Sequence, residues 1–256
     1  MLYQDEMLIG GDNLKYYDIH SHLGKTSSGE ENTPTELVED LKKHGITKVG
    51  ISCLSGISTR YQNDFIYKAM CEYPDIIEGY AFINPKDPKA LEEIDLCLGT
   101  YHMKAVKFHS WKHGYYPDNS PALDGLLDKI ETYGVHVQTH VGTAPISNPY
   151  VWAEYAKKHP NLRFVFTHIG YYEFGMSTIM AVKDLDNVWV ETSGQMDTRV
   201  LKTAIDVLGS KRVCFGTDWP YKPVNIEISK FEELGLSEEQ LEDIFYKNAE
   251  YLWTKK

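Results

Sequence analysis

Tyr17-Asp18-Ile19-His20-Ser21-His22 ends the first of eight apolar, strand-like runs in this chain of 256 residues. An open, doubly wound sheet would usually place a glycine-rich phosphate turn at this point. Here the run ends in two histidines instead. The other seven runs span residues 48–54, 77–84, 105–109, 135–140, 163–168, 187–192 and 212–217. Each gap between neighbours is long enough for a crossover helix, which parallel pairing requires. Eight strand–helix units without a linker predict an α/β fold, a (β/α)₈ TIM barrel, as a single domain over residues 1–256.

The helix starts carry their own chemistry. Thr33-Pro34-Thr35-Glu36 combines an N-cap, an N1 proline and a capping-box glutamate. Asp87-Pro88, Ser120-Pro121 and Asn148-Pro149 repeat the cap-then-proline signal, and Ser237 with Gln240 opens the last helix. Gly45 and Gly134 stand where a helix ends in a left-handed turn just before a strand. Residues 25–34 read as an exposed loop after the first strand.

Composition narrows the function. The net charge of −11 comes without a long Lys/Arg run, which argues against nucleic acid or an anionic membrane as partner. Residues 1–13 lack the basic start and apolar stretch of a secretory signal, and no apolar run is long enough to span a bilayer. Cys53, Cys71, Cys97 and Cys214 show no paired spacing and read as reduced core thiols of a cytoplasmic protein. The expected partner is a small-molecule substrate, with a homo-oligomer left open.

Metal-binding residue types fall at the C-terminal ends of five runs. In His20-Ser21-His22, strand alternation puts both imidazoles on one face, roughly 7 Å apart along the backbone. Thr139-His140 ends the fifth run, Thr167-His168 the sixth and Gly216-Thr217-Asp218 the eighth. A parallel barrel gathers these ends around one mouth. Imidazoles and a carboxylate converging there are poor packing material, and a divalent cation is their natural partner. The geometric reading therefore takes His20, His22, His140 and Asp218 as metal ligands. On the fourth run Lys107 and His109 share a parity, so both are expected to point inward.

The chain resembles the amidohydrolase superfamily, in the branch of small metal-dependent hydrolases that also contains aminocarboxymuconate-semialdehyde and resorcylate decarboxylases. The resemblance is carried by residues 17–22, Ala105-Val106-Lys107-Phe108-His109, Gln138-Thr139-His140, Phe166-Thr167-His168-Ile169-Gly170 and Phe215-Gly216-Thr217-Asp218-Trp219-Pro220. It implies the same four ligands and a role for His168 beside the metal-bound water. In binuclear relatives a fourth-strand residue bridges two metals, and Lys107, with His168 completing a second site, is the candidate here; the branch implies a single tight metal first. Zinc is the expected ion, with manganese or another divalent ion as alternative.

The first expectation is hydrolysis of an ester, lactone or amide bond in a small anionic substrate. Metal-activated water attacks, Asp218 relays the proton, and His168 steadies the oxyanion or the water. Lys107, His109, Trp111, Tyr171, Arg199 and Trp219 are the candidate substrate-binding residues. Two alternatives stand beside it. A non-oxidative decarboxylase of a small carboxylic acid, aromatic ones included, uses the same ligand set. A TatD-type metal-dependent deoxyribonuclease shares the histidine pattern, but it usually carries a fourth-strand glutamate where this chain has Lys107 and His109. His44, His102 and His159 are expected at the surface, and His136 at the closed end of the barrel.

Overall fold

The alternation of buried β-branched runs with capped amphipathic helices builds a nine-stranded sheet in the order β2-β1-β3-β4-β5-β6-β7-β8-β9. In the computed structural model, Ile9 and residues 14–26, 28–54, 58–143 and 145–255 are described. Apart from Ile9, the leader reading of residues 1–13 lies outside them. The strands are β1 (Tyr16–Lys25), β2 (Glu31–Asn32), β3 (Ile46–Cys53), β4 (Ile77–Phe82), β5 (Ala105–Phe108), β6 (His136–Thr139), β7 (Arg163–Phe166), β8 (Val188–Glu191) and β9 (Val213–Cys214). β1 and β3 to β9 are the eight expected runs, and consecutive members pair in parallel. β2 is additional. It returns antiparallel on the end of β1, with Gly24 opposite Asn32, so the expected loop over 25–34 is partly a short hairpin.

The sheet curls until its two ends exchange backbone hydrogen bonds. Ile19 N donates to Phe215 O (3.1 Å), Asp218 N to His20 O (2.7 Å) and His22 N to Trp219 O (2.8 Å). These bonds bring the ligand-type residues of the first and last runs together.

Strand alternation sorts the side chains. On β5, Val106 and Phe108 join the large apolar cluster with the helices, whereas Ala105 lies in the smaller inner cluster with Val165, Trp189 and Cys214. Lys107, Gln138 and Glu191 follow the parity of those inner positions and are wholly buried. Polar groups therefore occupy the inner face near the strand C-termini. The opposite end is closed by the final helix, Asn248–Trp253. There Arg163 donates to Gly134 O, Tyr251 O and Thr254 O at 2.6–2.8 Å, and Trp253 Nε1 donates to Tyr80 Oη. His136 sits at this closed end, 3.3 Å from Leu252 O.

The capping boxes at Thr33/Glu36 and Ser237/Gln240 form, and Asn148 caps its helix. Asp87 and Ser120 do not cap; those helices start later, at Ala90 and Leu123, without a side-chain cap. Gly45 and Gly134 adopt φ of 73° and 64°. Two surface assignments need correction. Cys71 is exposed, unlike the buried Cys53, Cys97 and Cys214, because it lies on the outer side of helix Thr59–Glu72. His159 is buried rather than exposed, its ring flanked by Asp124 and Asp128 at 3.4 Å. Among the described residues, no helix is long and apolar enough to cross a membrane.

Candidate metal centre

β1 is not a regular strand where it matters. Its register against β3 shifts between Asp18 and Ser21, so Ile19 and His20 bulge from the ladder. Bulges re-aim side chains next to functional sites. Here the His20 and His22 rings stand at 89° with centroids 4.8 Å apart. Asp18 anchors the bulge. Wholly buried, it accepts from His20 N (2.8 Å), Ser21 Oγ (2.5 Å), Thr217 N (3.1 Å) and Thr217 Oγ1 (2.5 Å), tying β1 to the segment before Asp218.

His22 Nε2 lies 3.2 Å and His20 Nε2 3.9 Å from Asp218 Oδ1. These three residues have ligand atoms within 4.8 Å of one another. The outer nitrogens are already committed. His20 Nδ1 lies 2.8 Å from Glu191 Oε2; His22 Nδ1 donates to Ser52 O (3.2 Å) and His168 Nδ1 to Ser193 O (2.9 Å). An N–H held by an oxygen at Nδ1 leaves Nε2 as a lone pair, the form in which imidazole binds a metal. Burial, first of all, and then neighbouring cations and imidazoles push the pKa values of His20, His140 and His168 well below the usual value. The rings are held neutral.

His140 lines the same cavity, with its ring 4.9 Å from that of His168 and 4.0 Å from that of His109, but it does not fall within the His20–His22–Asp218 group. Three of the four expected ligands thus converge directly. Lys107 Nζ lies 2.9 Å from His20 Nε2 and 3.0 Å from Gln138 Oε1, so it competes for a lone pair a metal would use. Burial brings its pKa down to about 7, against the pull of Asp218 and Glu191. His109 differs from the other rings. Its Nδ1 accepts from Lys112 N (3.4 Å), which leaves Nε2–H as a donor in a residue that lines the cavity.

The cavity measures about 370 Å³. Besides His22, His109, His140, His168, Lys107 and Asp218, it is lined by Trp111, Lys112, Tyr171, Tyr221 and Lys222, among others. Arg199 and Trp219 are not in this lining. Arg199 is drawn back by its own helix cap, where Asp197 Oδ2 holds its guanidinium at 2.8 Å, and the side chain is 86% exposed. Trp219 is buried on the other side of the segment, with Nε1 donating to Asp40 Oδ2. Both assignments came from nearness in sequence to a strand end.

Glu191 escaped the sequence reading. Wholly buried at the end of β8, it accepts from Ser193 Oγ (2.9 Å), Ser193 N and His168 N (3.2 Å) besides facing His20. Its signal was a carboxylate at an inward-parity position closing Val188-Trp189-Val190. The mouth also stores backbone strain. Thr143, His168, Ile169, Tyr171 and Asp218 have φ between 45° and 70°, a region that costs non-glycine residues energy and clusters at functional sites.

Residues 28–255 match the amidohydrolase family. The chain belongs to that family. A curated relative, the gamma-resorcylate decarboxylase of Polaromonas sp., is 21% identical, with 88% of this chain and 84% of that protein aligned. Among solved structures, a dihydroxybenzoic acid decarboxylase from Polaromonas sp., with bound manganese and the inhibitor 2-nitroresorcinol, superposes with a TM-score of 0.77 at 17% identity. The match covers 94% of this chain and 97% of that one. The 5-carboxyvanillate decarboxylase of Sphingomonas paucimobilis gives 0.77 at 16% identity, covering 95% and 100%. The chain is thus an enzyme of the amidohydrolase family, and the relatives favour decarboxylation over the hydrolysis that the sequence reading put first.

Proposed function

We propose that the chain is a single-domain, closed (β/α)₈ barrel that removes carbon dioxide non-oxidatively from a small aromatic carboxylic acid at a divalent-metal site. The observation that carries it is the convergence of the His20, His22 and Asp218 ligand atoms, with the outer imidazole nitrogens already tied, where His22 and Asp218 line a cavity walled by aromatic residues and lysines. That donor set fits a divalent cation. His20, His22 and Asp218 would hold it, with the His168 ring 5.0 Å from that of His20 and the His140 ring 4.9 Å from that of His168. When bound, the cation supplies positive charge for the substrate's carboxylate and ring oxygens. Manganese is favoured over zinc, because the dihydroxybenzoic acid decarboxylase relative carries manganese.

The chain's own residues do the rest. The aromatic wall of Trp111 and Tyr171 suits a flat ring, and Lys107, with the rim lysines Lys112 and Lys222, suits its negative charge. His109 offers an N–H donor to a ring oxygen. His168, with Nδ1–H committed to Ser193, presents only an acceptor and cannot supply a proton as a neutral ring. We assign the proton to Asp218, whose carboxylate lies 3.2 Å from His22 Nε2 and lines the cavity. Protonated, Asp218 delivers its proton to the ring carbon that bears the carboxylate. The bond from that carbon to the carboxylate then breaks, its electron pair restores the aromatic ring, and carbon dioxide leaves.

The test is to incubate the manganese- and the zinc-loaded protein with a panel of ortho-hydroxybenzoates, following carbon dioxide release and ring absorbance. A panel of aryl esters and lactones is run beside it in a pH-stat. Release of carbon dioxide without ester or lactone turnover is expected. Turnover confined to the ester and lactone panel returns the assignment to a hydrolase.

A further inference from the structure

Behind the mouth lies a buried ion pair that the mechanism above does not use. Glu227 and Lys230 stand on and just after the short helix Val224–Ser229, pair directly with each other, and are 1% and 8% exposed. Neither lines the cavity. Burying a charge pair this completely is costly, and it stabilises a fold less well than apolar residues of the same volume. Its contacts explain what it does there. Lys230 Nζ donates to Thr192 O at 2.6 Å, and Glu227 Oε2 accepts from Gly194 N at 3.1 Å. Between these two anchors lies Ser193.

Ser193 is the hub of the imidazole network. Its carbonyl accepts from His168 Nδ1 (2.9 Å). Its hydroxyl donates to Glu191 Oε2 (2.9 Å) and lies 3.1 Å from His168 Nδ1 and 3.2 Å from His20 Nδ1. Gly194 is bound to its place by conformation as well. Its φ is +68°, and a Cβ there would lie 2.6 Å from a Tyr171 ring carbon. We propose that the Glu227–Lys230 pair is a positioning clamp: by gripping Thr192 and Gly194 from behind, it fixes Ser193 and so sets the tautomer and direction of His20 and His168. The clamp sits 9 and 12 residues after Asp218 on the same connecting segment, so one stretch of chain supplies the carboxylate and positions the imidazoles facing it.

The inference rests on the metal-centre reading for one of its readouts only. Wild type, Glu227→Met, Lys230→Met and the double variant are compared by thermal unfolding, by manganese titration using the paramagnetic signal of free Mn²⁺, and by ¹⁵N spectra of the imidazoles in the metal-free protein. Each single variant leaves one buried partner alone and is expected to lose stability. The double variant removes both charges and is expected to melt close to wild type. If the pair positions, the double variant still binds Mn²⁺ about tenfold more weakly. It also shows altered Nδ1–H signals for His20 and His168, and a lower kcat with KM unchanged. A double variant that melts like wild type and keeps both its manganese affinity and its imidazole signals overturns the clamp. If the single variants fail to fold, the double variant decides. If wild type binds no manganese, the metal reading fails and the imidazole spectra alone decide the clamp.

Discussion

Gly216→Ala puts the centre under a load whose size follows from the structure. A Cβ at Gly216 would lie 2.5 Å from Glu191 Oε1, 2.9 Å from Glu191 Cδ and 3.0 Å from His20 Cβ. Carbon contacts relax near 3.5–4.0 Å, so the carboxylate must retreat by about 1 Å. It has little freedom to do so, because Ser193 Oγ at 2.9 Å, His168 N at 3.2 Å and His20 Nδ1 at 2.8 Å all hold it. Overpacking a tight interior costs about 1–3 kcal/mol. Weakening one of the Glu191 hydrogen bonds costs about 0.5–1.5 kcal/mol more. The unfolded chain's lower entropy with alanine returns only about 0.4–1 kcal/mol. The net expectation is a loss of about 1–4 kcal/mol, or a drop of roughly 5–10 °C in melting temperature for a chain of this length. His20 loses its oriented partner at the same time, so manganese affinity should fall about 10- to 100-fold. Thermal unfolding with and without manganese, together with the free-Mn²⁺ titration, measures both effects. A variant that melts and binds manganese like wild type refutes the claim that Glu191 and His20 are held by close packing against residue 216.

Three further outcomes follow from particular residues. Burial, then the charge of Arg163, brings His136 down to about 3; the folded state therefore binds fewer protons than the unfolded one, and stability falls as pH drops from about 6.5 towards 3, by about 2 kcal/mol at pH 5 and about 5 kcal/mol when complete. His136→Gln should flatten that part of the stability–pH curve in urea titrations, and a curve parallel to wild type removes His136 as its source. Arg199→Ala should leave kcat and KM unchanged, since the side chain is exposed and engaged with Asp197; a rise in KM would put Arg199 back at the substrate. Asp218→Asn should bind less than one manganese per chain by elemental analysis and lose at least about a hundredfold in turnover, whereas full turnover would move proton delivery to another group.

What the sequence shows of this molecule follows from where the information is local. The eight parallel strands are legible because Val106 and Phe108, or Val188 and Val190, mark the helix-facing side of each strand every second residue. The same parity puts Lys107 inside. Gly45 and Gly134 are legible as left-handed turns for the same local reason. The hairpin at β2 is not, since two residues carry too little pattern to separate a strand from a loop. Cations beside strand ends are also misleading, because a cap such as Asp197 can turn the next arginine away from the mouth. Glu227 and Lys230 carry no local signal of burial in the sequence, yet both are buried.

The positive φ values sharpen the point. His168 and Asp218 adopt conformations that their own side chains disfavour, at 65° and 56°. No local signal in His168-Ile169-Gly170 asks for the first of them. Tertiary bonds hold them, Asp218 N to His20 O and His168 N to Glu191 Oε2, and at Asp218 the local bond from Trp219 N to Thr217 Oγ1 adds to this. Residues that form the mouth are therefore readable as types at strand ends, whereas their aim is a property of the bonds made between those ends. Breaking those bonds should release the strain and the ligand geometry together. For that reason Asp18, which ties β1 to Thr217, should matter to the centre although it does not line the cavity.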